Sequence, residues 1–597
     1  MSKKNIPIKY TSRDFESIRR DLENFAKRYY PDTYKDFNRA SFGSLMLDTV
    51  SYIGDILSFY LDYQVNESFL DSAVEYGNVV SLARQLGYKL QTSPASYGKL
   101  TFYVEVPAAS TGLGPDNALL PILRAGSTFS SLGGGFYTLL EDVDFGEENN
   151  QIVVGTAEST TGSPLTYVIR AFGEAVSGRG TTQVFTLGDF VRFRAVQLRV
   201  ANISNIISVV DGEGNEYFEV DNLSQDTIYR PIKNTTVNRS TVPNILKAVP
   251  VPRRFTVETT NLGTFLQFGY GAASDALTNP VADPAETVLN LTGRDYITEI
   301  DFDPTKLIST DKFGIGPANT ALRVDYRFNT TRDVNTGVDT ITKIETSDFK
   351  FNSQGSLSLV ERQNVMASLE VTNDEPFVGS VSLPSSEEIR QRALSHFATQ
   401  NRAVTAQDYQ ALCYAMPAKF GMVKRVAVMK DADEFKQNVN IYVMSENNTG
   451  KLAPPNTSLK TNLKNWISQY KMITDTVDIL DAQIVNFALE YEILISLGAN
   501  RFDVINACDI AIANHFEQKL DIGEPIMLAG IYLALSKVNG VADTTSVEIA
   551  LRSGGLYAAS SYDFAAALSS NGTSILSEKN TIFELKYPSR DIRGSVK

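Results

Sequence analysis

One stretch constrains this 597-residue chain more than any other. From Phe42 to Tyr63 it reads FGSLMLDTVSYIGDILSFYLDY, and Met46, Val50, Ile53, Leu57 and Tyr60 step by four and three, the spacing of an apolar seam on an α-helix. A second seam of Leu45, Tyr52, Ile56, Phe59 and Tyr63 lies beside it, so at 3.6 residues per turn the apolar arc spans roughly 200°. One neighbour cannot cover such an arc. Asp48, Asp55 and Asp62 recur every seventh residue opposite it, with Ser51 and Ser58 beside them, and read as the only solvated edge. The alternatives are the central helix of an ordinary soluble domain and a member of a bundle of several helices.

The flanks favour the bundle. Ser12 to Tyr30 carries a seam of Phe15, Ile18, Leu22, Phe25 and Tyr29, opened by a capping pattern from Thr11 to Asp14 and stopped at Pro31. Ser72 with Glu75 opens a third helix, which runs through Leu82 and Leu86 to Gly87 as C-cap. These helices carry more apolar surface than they can cover among themselves, and a partner chain can supply the rest.

The length predicts three to five domains. A hydrophobic content of 43% and a charged content of 21% are those of a globular protein. Cys413 and Cys508 are too few for a disulfide framework and fit assembly in a reducing cytoplasm. No signal peptide is expected from MSKKNIPIKY, and no uncharged apolar run is long enough to span a bilayer. The net charge of −14 argues against a nucleic-acid surface. Residues 1–40 depart from it, with ten Lys and Arg against six Asp and Glu alternating along a helix, a pattern of salt-bridged, solvated faces.

The expected fold class is α+β and multidomain. Residues 1–92 form the helical, bundle-forming segment, and residues 93–383 a β-rich middle of one or two subdomains. Candidate strands there are Leu100 to Val106, Thr166 to Ala171, Thr182 to Leu187, Phe190 to Arg194, Phe255 to Thr259 and Phe265 to Phe268. Residues 384–550 read as α+β sandwich domains, opened by Ser385 as N-cap with Glu388 three residues on. Residues 551–597, rich in Ser, Ala and Gly, read as a loosely structured tail.

A search for chemistry returns little. The two histidines, His396 and His515, leave few metal or triad readings, and no further soft ligand is spaced to join Cys508 and His515. No nucleophile-elbow, phosphate-loop or zincin motif occurs. Asp211, Glu213 and Asn215 are spaced like a calcium loop, but Glu216 stands where glycine should follow, so a hairpin turn is expected. Gly269 and Gly271 in FGYG read as a tight turn after a strand. No catalytic residue, metal or cofactor is assigned, although paired carboxylates are invisible in a sequence.

Several stretches resemble the wedge proteins of contractile-tailed phage baseplates, of T-even type, within the baseplate J-like superfamily. YTSRDFESIRRDL, SFGSLMLDTVSYIGDILSFYLDYQVNESFLDSA and LARQLGY are similar to the family's helical opening, and FGYG and DPTKLISTDKFGIGPANTALRVDYR to its β-domain signatures. NRAVTAQDYQAL, MITDTVDILDAQIVNFALEYEI, FDVINAC and KLDIGEPIMLAGIYLALSKVNGV follow in family order. Residues 110–250 and 550–597 lie outside the resemblance. It implies a non-enzymatic virion subunit of the tail baseplate, assembled in the host cytoplasm. Its partners would be itself, in dimers and a ring around the tail tube, a helical wedge partner, and other baseplate, tube or sheath-initiating proteins, with no nucleic acid and no membrane. It also implies a part in the switch that triggers sheath contraction. Met46, Val50, Ile53, Leu57 and Tyr60, with Tyr52, Ile56, Phe59 and Tyr63, would form the partner interface. Asp503, Gly523 and Pro525 match the C-terminal motif, with capping and turning roles expected. A tail-associated cell-wall hydrolase or a carbohydrate-binding receptor module is the competing class; the first predicts a carboxylate or metal cleft, the second exposed aromatic platforms, and the single Trp466 sits instead on an expected amphipathic helix.

Overall fold

The computed structural model describes residues 13–30, 32, 41–90, 94–110, 113–160, 162–234, 244–260, 263–272, 313–331, 334–351, 358–431, 438–517 and 519–597. The chain divides into two compact units, one of residues 1–90 with 383–402, the other of residues 91–382 with 403–597. The fold class is α+β, with N-terminal helices, a large β-rich middle and α+β content towards the C-terminus.

The first unit is helical. Helix α1 spans Phe15–Tyr29, α2 Phe42–Asn66, α3 Tyr76–Gln85, and α4 Ser386–Thr399. Asp14 caps α1 by accepting from the Ser17 N–H, and Ser41 caps α2 by accepting from the Ser44 N–H. Thr11, part of the expected capping pattern, lies outside the described residues, and Asp14 is itself the cap. The Ser385 and Glu388 capping box of α4 forms as expected. Helix α3 is capped at Leu86 and followed by Gly87, whose φ of +88° suits the left-handed turn after a helix. Val79 and Ala83 of α3 pack with Ile389 and Ala393 of α4, Ala73 and Tyr88 into the buried core of this unit. Arg390 locks the arrangement, donating to the carbonyls of Leu70 at 2.6 Å and Ala73 at 2.9 Å. The domain boundary read at residue 384 is therefore displaced: α4 packs with the N-terminal helices, because its Ile389–Ala393 stripe fits α3.

The second unit begins with two β cores. In the first, β1 (Tyr97–Pro107) runs antiparallel to β2 (Thr166–Ser177), and Leu100, Phe102 and Val104 alternate inwards against Phe129, Tyr137 and Ile169. In the second, Thr320–Phe328 pairs with Arg179–Leu187 and Ile203–Val210 over Val209, Leu266, Phe268, Leu322, Val324 and Tyr326. Phe190 to Arg194, expected as a strand, is a loop with Phe193 at φ +50°, and pairing starts at Ala195–Gln197.

Two α+β layers follow. In one, β3 (Asn438–Glu446) pairs with Arg425–Lys430 and Thr476–Asp481, backed by α5 (Ala406–Tyr414) and α6 (Thr457–Ile467). In the other, the central β4 (Gln483–Ile495) is covered by α7 (Arg501–His515) and α8 (Leu528–Ser536) and pairs with β5 (Val541–Arg552) on one side. On the other side it pairs with Thr581–Glu584 and Ile592–Val596. Residues 551–597 are thus no loose tail. They supply two strands to this sheet, and Ile575, Phe583 and Ile592 lie buried in its core.

Candidate functional site

Helix α2 is 25 residues long, yet only Ser44 and Ser51 are fully buried along it. The burial is inverted. The polar stripe opposite the apolar arc is where α1 packs, and the arc faces outwards. Arg19 pairs with Asp48 at 2.6 Å and donates to the Ser44 hydroxyl at 3.0 Å. Arg13 pairs with Asp62 at 2.7 Å. Between these pairs Ile18 lies against Gly54, where an added Cβ would sit 3.1 Å from Ile18 Cδ1, so the missing side chain permits the close approach. The stripe of Asp48, Asp55, Asp62, Ser51 and Ser58, read from sequence as the solvated edge, is corrected to the docking face of α1. The physical reason is complementarity: Arg13, just before α1, and Arg19 within it pair with Asp62 and Asp48, and the small Ser44, Ser51 and Gly54 leave room for the helix.

The consequence falls on the nine interface candidates. Met46, Val50, Tyr52, Ile53, Leu57, Phe59, Tyr60 and Tyr63 are all exposed, and Ile56 is half-buried. Ile53 keeps 51% of its surface, Leu57 62% and Phe59 66%. Phe59 stacks on Tyr63, with ring centroids 6.3 Å apart and an interplanar angle of 22°, and meets Tyr60 edge-on. Phe42, Leu45, Leu61 and Val65 extend the patch, and Phe25 and Tyr29 of α1 add exposed aromatic surface. Burial of a large apolar side chain is worth about 1.5–3 kcal/mol, and monomeric proteins rarely leave so many adjacent ones in water. A contiguous apolar arc along one long helix is chemically suited to pack further helices.

The other sequence candidates resolve into structural roles. Asp211 closes the hairpin turn before Glu216–Glu219, its carboxylate accepting from the N–H groups of Glu213 and Asn215. Gly269 marks a backbone crossing rather than a tight turn, since a Cβ there would lie 2.1 Å from the Phe313 carbonyl oxygen. Trp466 is partly buried and donates its indole N–H to the Leu412 carbonyl at 2.8 Å. Cys413 and Cys508 are buried free thiols, and burial pushes that of Cys508 up to about 11. Asn500 caps α7, Asp503 lies in its first turn, and Gly523 adopts φ +83°. Among the described residues no three His, Cys, Asp or Glu side chains gather as a metal site.

A junction that sequence reasoning missed lies in the second unit. The buried Glu446 carboxylate accepts from Ser382 N–H at 2.6 Å and from Lys519 at 3.0 Å, with the Lys424 ammonium 3.5 Å away. Burial pushes this carboxyl up, but the two lysines and the Ser382 N–H outweigh it and hold it below the usual range. The backbone carbonyl of Glu446 accepts from the buried Asn335, which also bonds Ser380 and Ser96. No periodicity announces such a junction.

Residues 14–85 match the family model described as "Bacteriophage baseplate protein, N-terminal domain". The match spans α1, α2 and α3, the segment that carries the arc, and supports a structural role in a baseplate. Two cryo-electron microscopy structures are similar at low scores. The anti-feeding prophage baseplate, 6-fold symmetrised, aligns at 9% identity over 96% of this chain and 99% of that chain, with a TM-score of 0.26. The type VI secretion system TssK-TssF-TssG baseplate subcomplex aligns at 8% identity over 74% and 96%, with a TM-score of 0.21. Scores this low do not establish a shared fold. A search of curated proteins finds no match.

Proposed function

We propose that this protein is a non-enzymatic structural subunit of a contractile phage tail baseplate, a wedge component of T-even type within the baseplate J-like superfamily. In this reading α2 joins helices of a wedge partner and of a second copy in an inter-chain bundle. The C-terminal α+β layers associate with neighbouring copies to close a ring around the tail tube. The ring takes part in the switch that releases the sheath, and contacts to tube or sheath-initiating proteins complete the assembly within the virion. The observation that carries the reading is the outward apolar arc of α2, with Ile53, Leu57, Phe59 and Tyr60 more than half exposed, inside the segment that matches the baseplate family.

The test is location. Tails assembled with a C-terminally tagged chain are labelled with gold and imaged by negative stain. The label is expected at the baseplate end, and a label along the sheath, at the head junction or on detached fibres would overturn the proposal.

A further inference from the structure

Strand β5 is the outer strand of the last sheet. Its ladder partner is β4, and among the described residues its other edge is unpaired. Register shifts interrupt the ladder towards Val541, leaving Ser546–Arg552 as its regular part, opposite Asn486–Glu492. Val547, Ile549 and Leu551 face the core of this layer but remain only partly buried. Ser546, Glu548, Ala550 and Arg552 alternate onto the other face. Glu548 stands directly opposite Glu490 in the ladder, a like-charge pair that raises the energy of the isolated sheet. Arg593 reaches Glu490 at 4.0 Å, whereas neither Glu548 nor Arg552 has a salt bridge within the chain among the described residues.

We propose that β5 pairs antiparallel with β5 of a second copy, about a two-fold axis through Ala550. This rests on the reading that the C-terminal layers self-associate and names the surface and register. Symmetry restricts the choice. A two-fold axis perpendicular to the sheet keeps every side chain on its own face, and opposed residues of a ladder share a face, so a residue must lie on the axis opposite its own copy. Centring on Glu548 or Arg552 opposes like charges, and centring on Ile549 or Leu551 sets Glu548 and Arg552 opposite uncharged residues, so that neither gains a partner. Centring on Ala550 sets Glu548 against the second copy's Arg552, twice by symmetry, and Ile549 against its Leu551, twice on the core side. The arginine then offsets the Glu490–Glu548 repulsion, and the continued sheet covers the half-buried apolar row.

The test uses the full chain with cysteine placed by register. Residues on the axis lie about 5 Å apart between Cα atoms, within disulfide reach. Oxidised Ala550→Cys is expected to run as a covalent dimer on a non-reducing gel. Ser546→Cys, about 26 Å from its own copy in this register, is expected to stay monomeric. Glu548→Arg and Arg552→Glu are each expected to abolish the Ala550→Cys cross-link, and their combination to restore it. If the chain, carrying Ile53→Asp to block association through α2, still self-associates in sedimentation yet Ala550→Cys links no faster than Ser546→Cys, the surface and register are wrong and C-terminal association stands. A chain that sediments as a strict monomer at every concentration overturns both.

Discussion

Ile53→Asp separates an interface residue from a core residue. Ile53 sits mid-arc and is 51% exposed in the chain alone, so the substitution should cost the isolated protein less than about 1 kcal/mol. In an assembled bundle the calculation changes. About half of the isoleucine's burial, roughly 1 kcal/mol, is still to be gained on association. A carboxyl group buried without a partner adds about 3 kcal/mol even when it takes up a proton. A deficit of about 4 kcal/mol weakens association about a thousandfold. The assay pairs a circular-dichroism melt of the purified chain with sedimentation and co-purification from cells expressing the other tail proteins. The variant should melt like the parent and fail to co-purify, whereas Asp55→Asn should do neither harm. Normal assembly of Ile53→Asp, or its unfolding with a loss of several kcal/mol, would refute the reasoning.

Gly54→Leu should force Ile18 away and cost about 1–3 kcal/mol in the α1–α2 contact, seen as faster hydrogen exchange across Phe15–Tyr29. Phe583→Ala, in the buried core shared with β4, should destabilise its layer by about 3–5 kcal/mol, measured by urea titration; an effect below 1 kcal/mol would restore the reading of residues 551–597 as a loose tail. Glu446→Gln should leave Lys424 and Lys519 without their buried partner, at about 3–5 kcal/mol. In the parent, the Glu446 pKa is depressed in the folded state, so its stabilisation is complete above the ordinary value of 4.5 and is lost as pH falls through the lower folded value. The difference in unfolding free energy between parent and Glu446→Gln should therefore shrink below pH 4.5.

Periodicity made α2 legible, and the Ser385–Glu388 spacing announced the start of α4, because both are local patterns. What each element packs against was not legible. The aspartates of α2 read as solvated because nothing in their spacing reports that Arg13 and Arg19, more than twenty residues upstream, would cover them. That pairing reversed the polarity of the helix and left the arc more exposed than its pattern alone required. The last strands were missed although Phe583, Leu585 and Tyr587 alternate with Glu584 and Lys586 as a strand would, because that short window stands in a Ser-, Ala- and Gly-rich stretch and Ile575 and Ile592 lie well away from it. Their burial depends on β4, almost a hundred residues earlier. The Glu446 junction was hidden for the same reason, since its lysines, serine and asparagine meet only in the fold.

The central claim is that α2 buries its apolar arc against helices of other chains in a baseplate. An electron cryomicroscopy map of the intact tail, at a resolution that separates helices, tests it most directly. The account predicts Met46, Val50, Ile53, Leu57 and Tyr60 in the interior of a bundle with helices from at least one other chain, repeated in a ring around the tube. A map with this arc facing solvent, or covered only by its own chain, would contradict it.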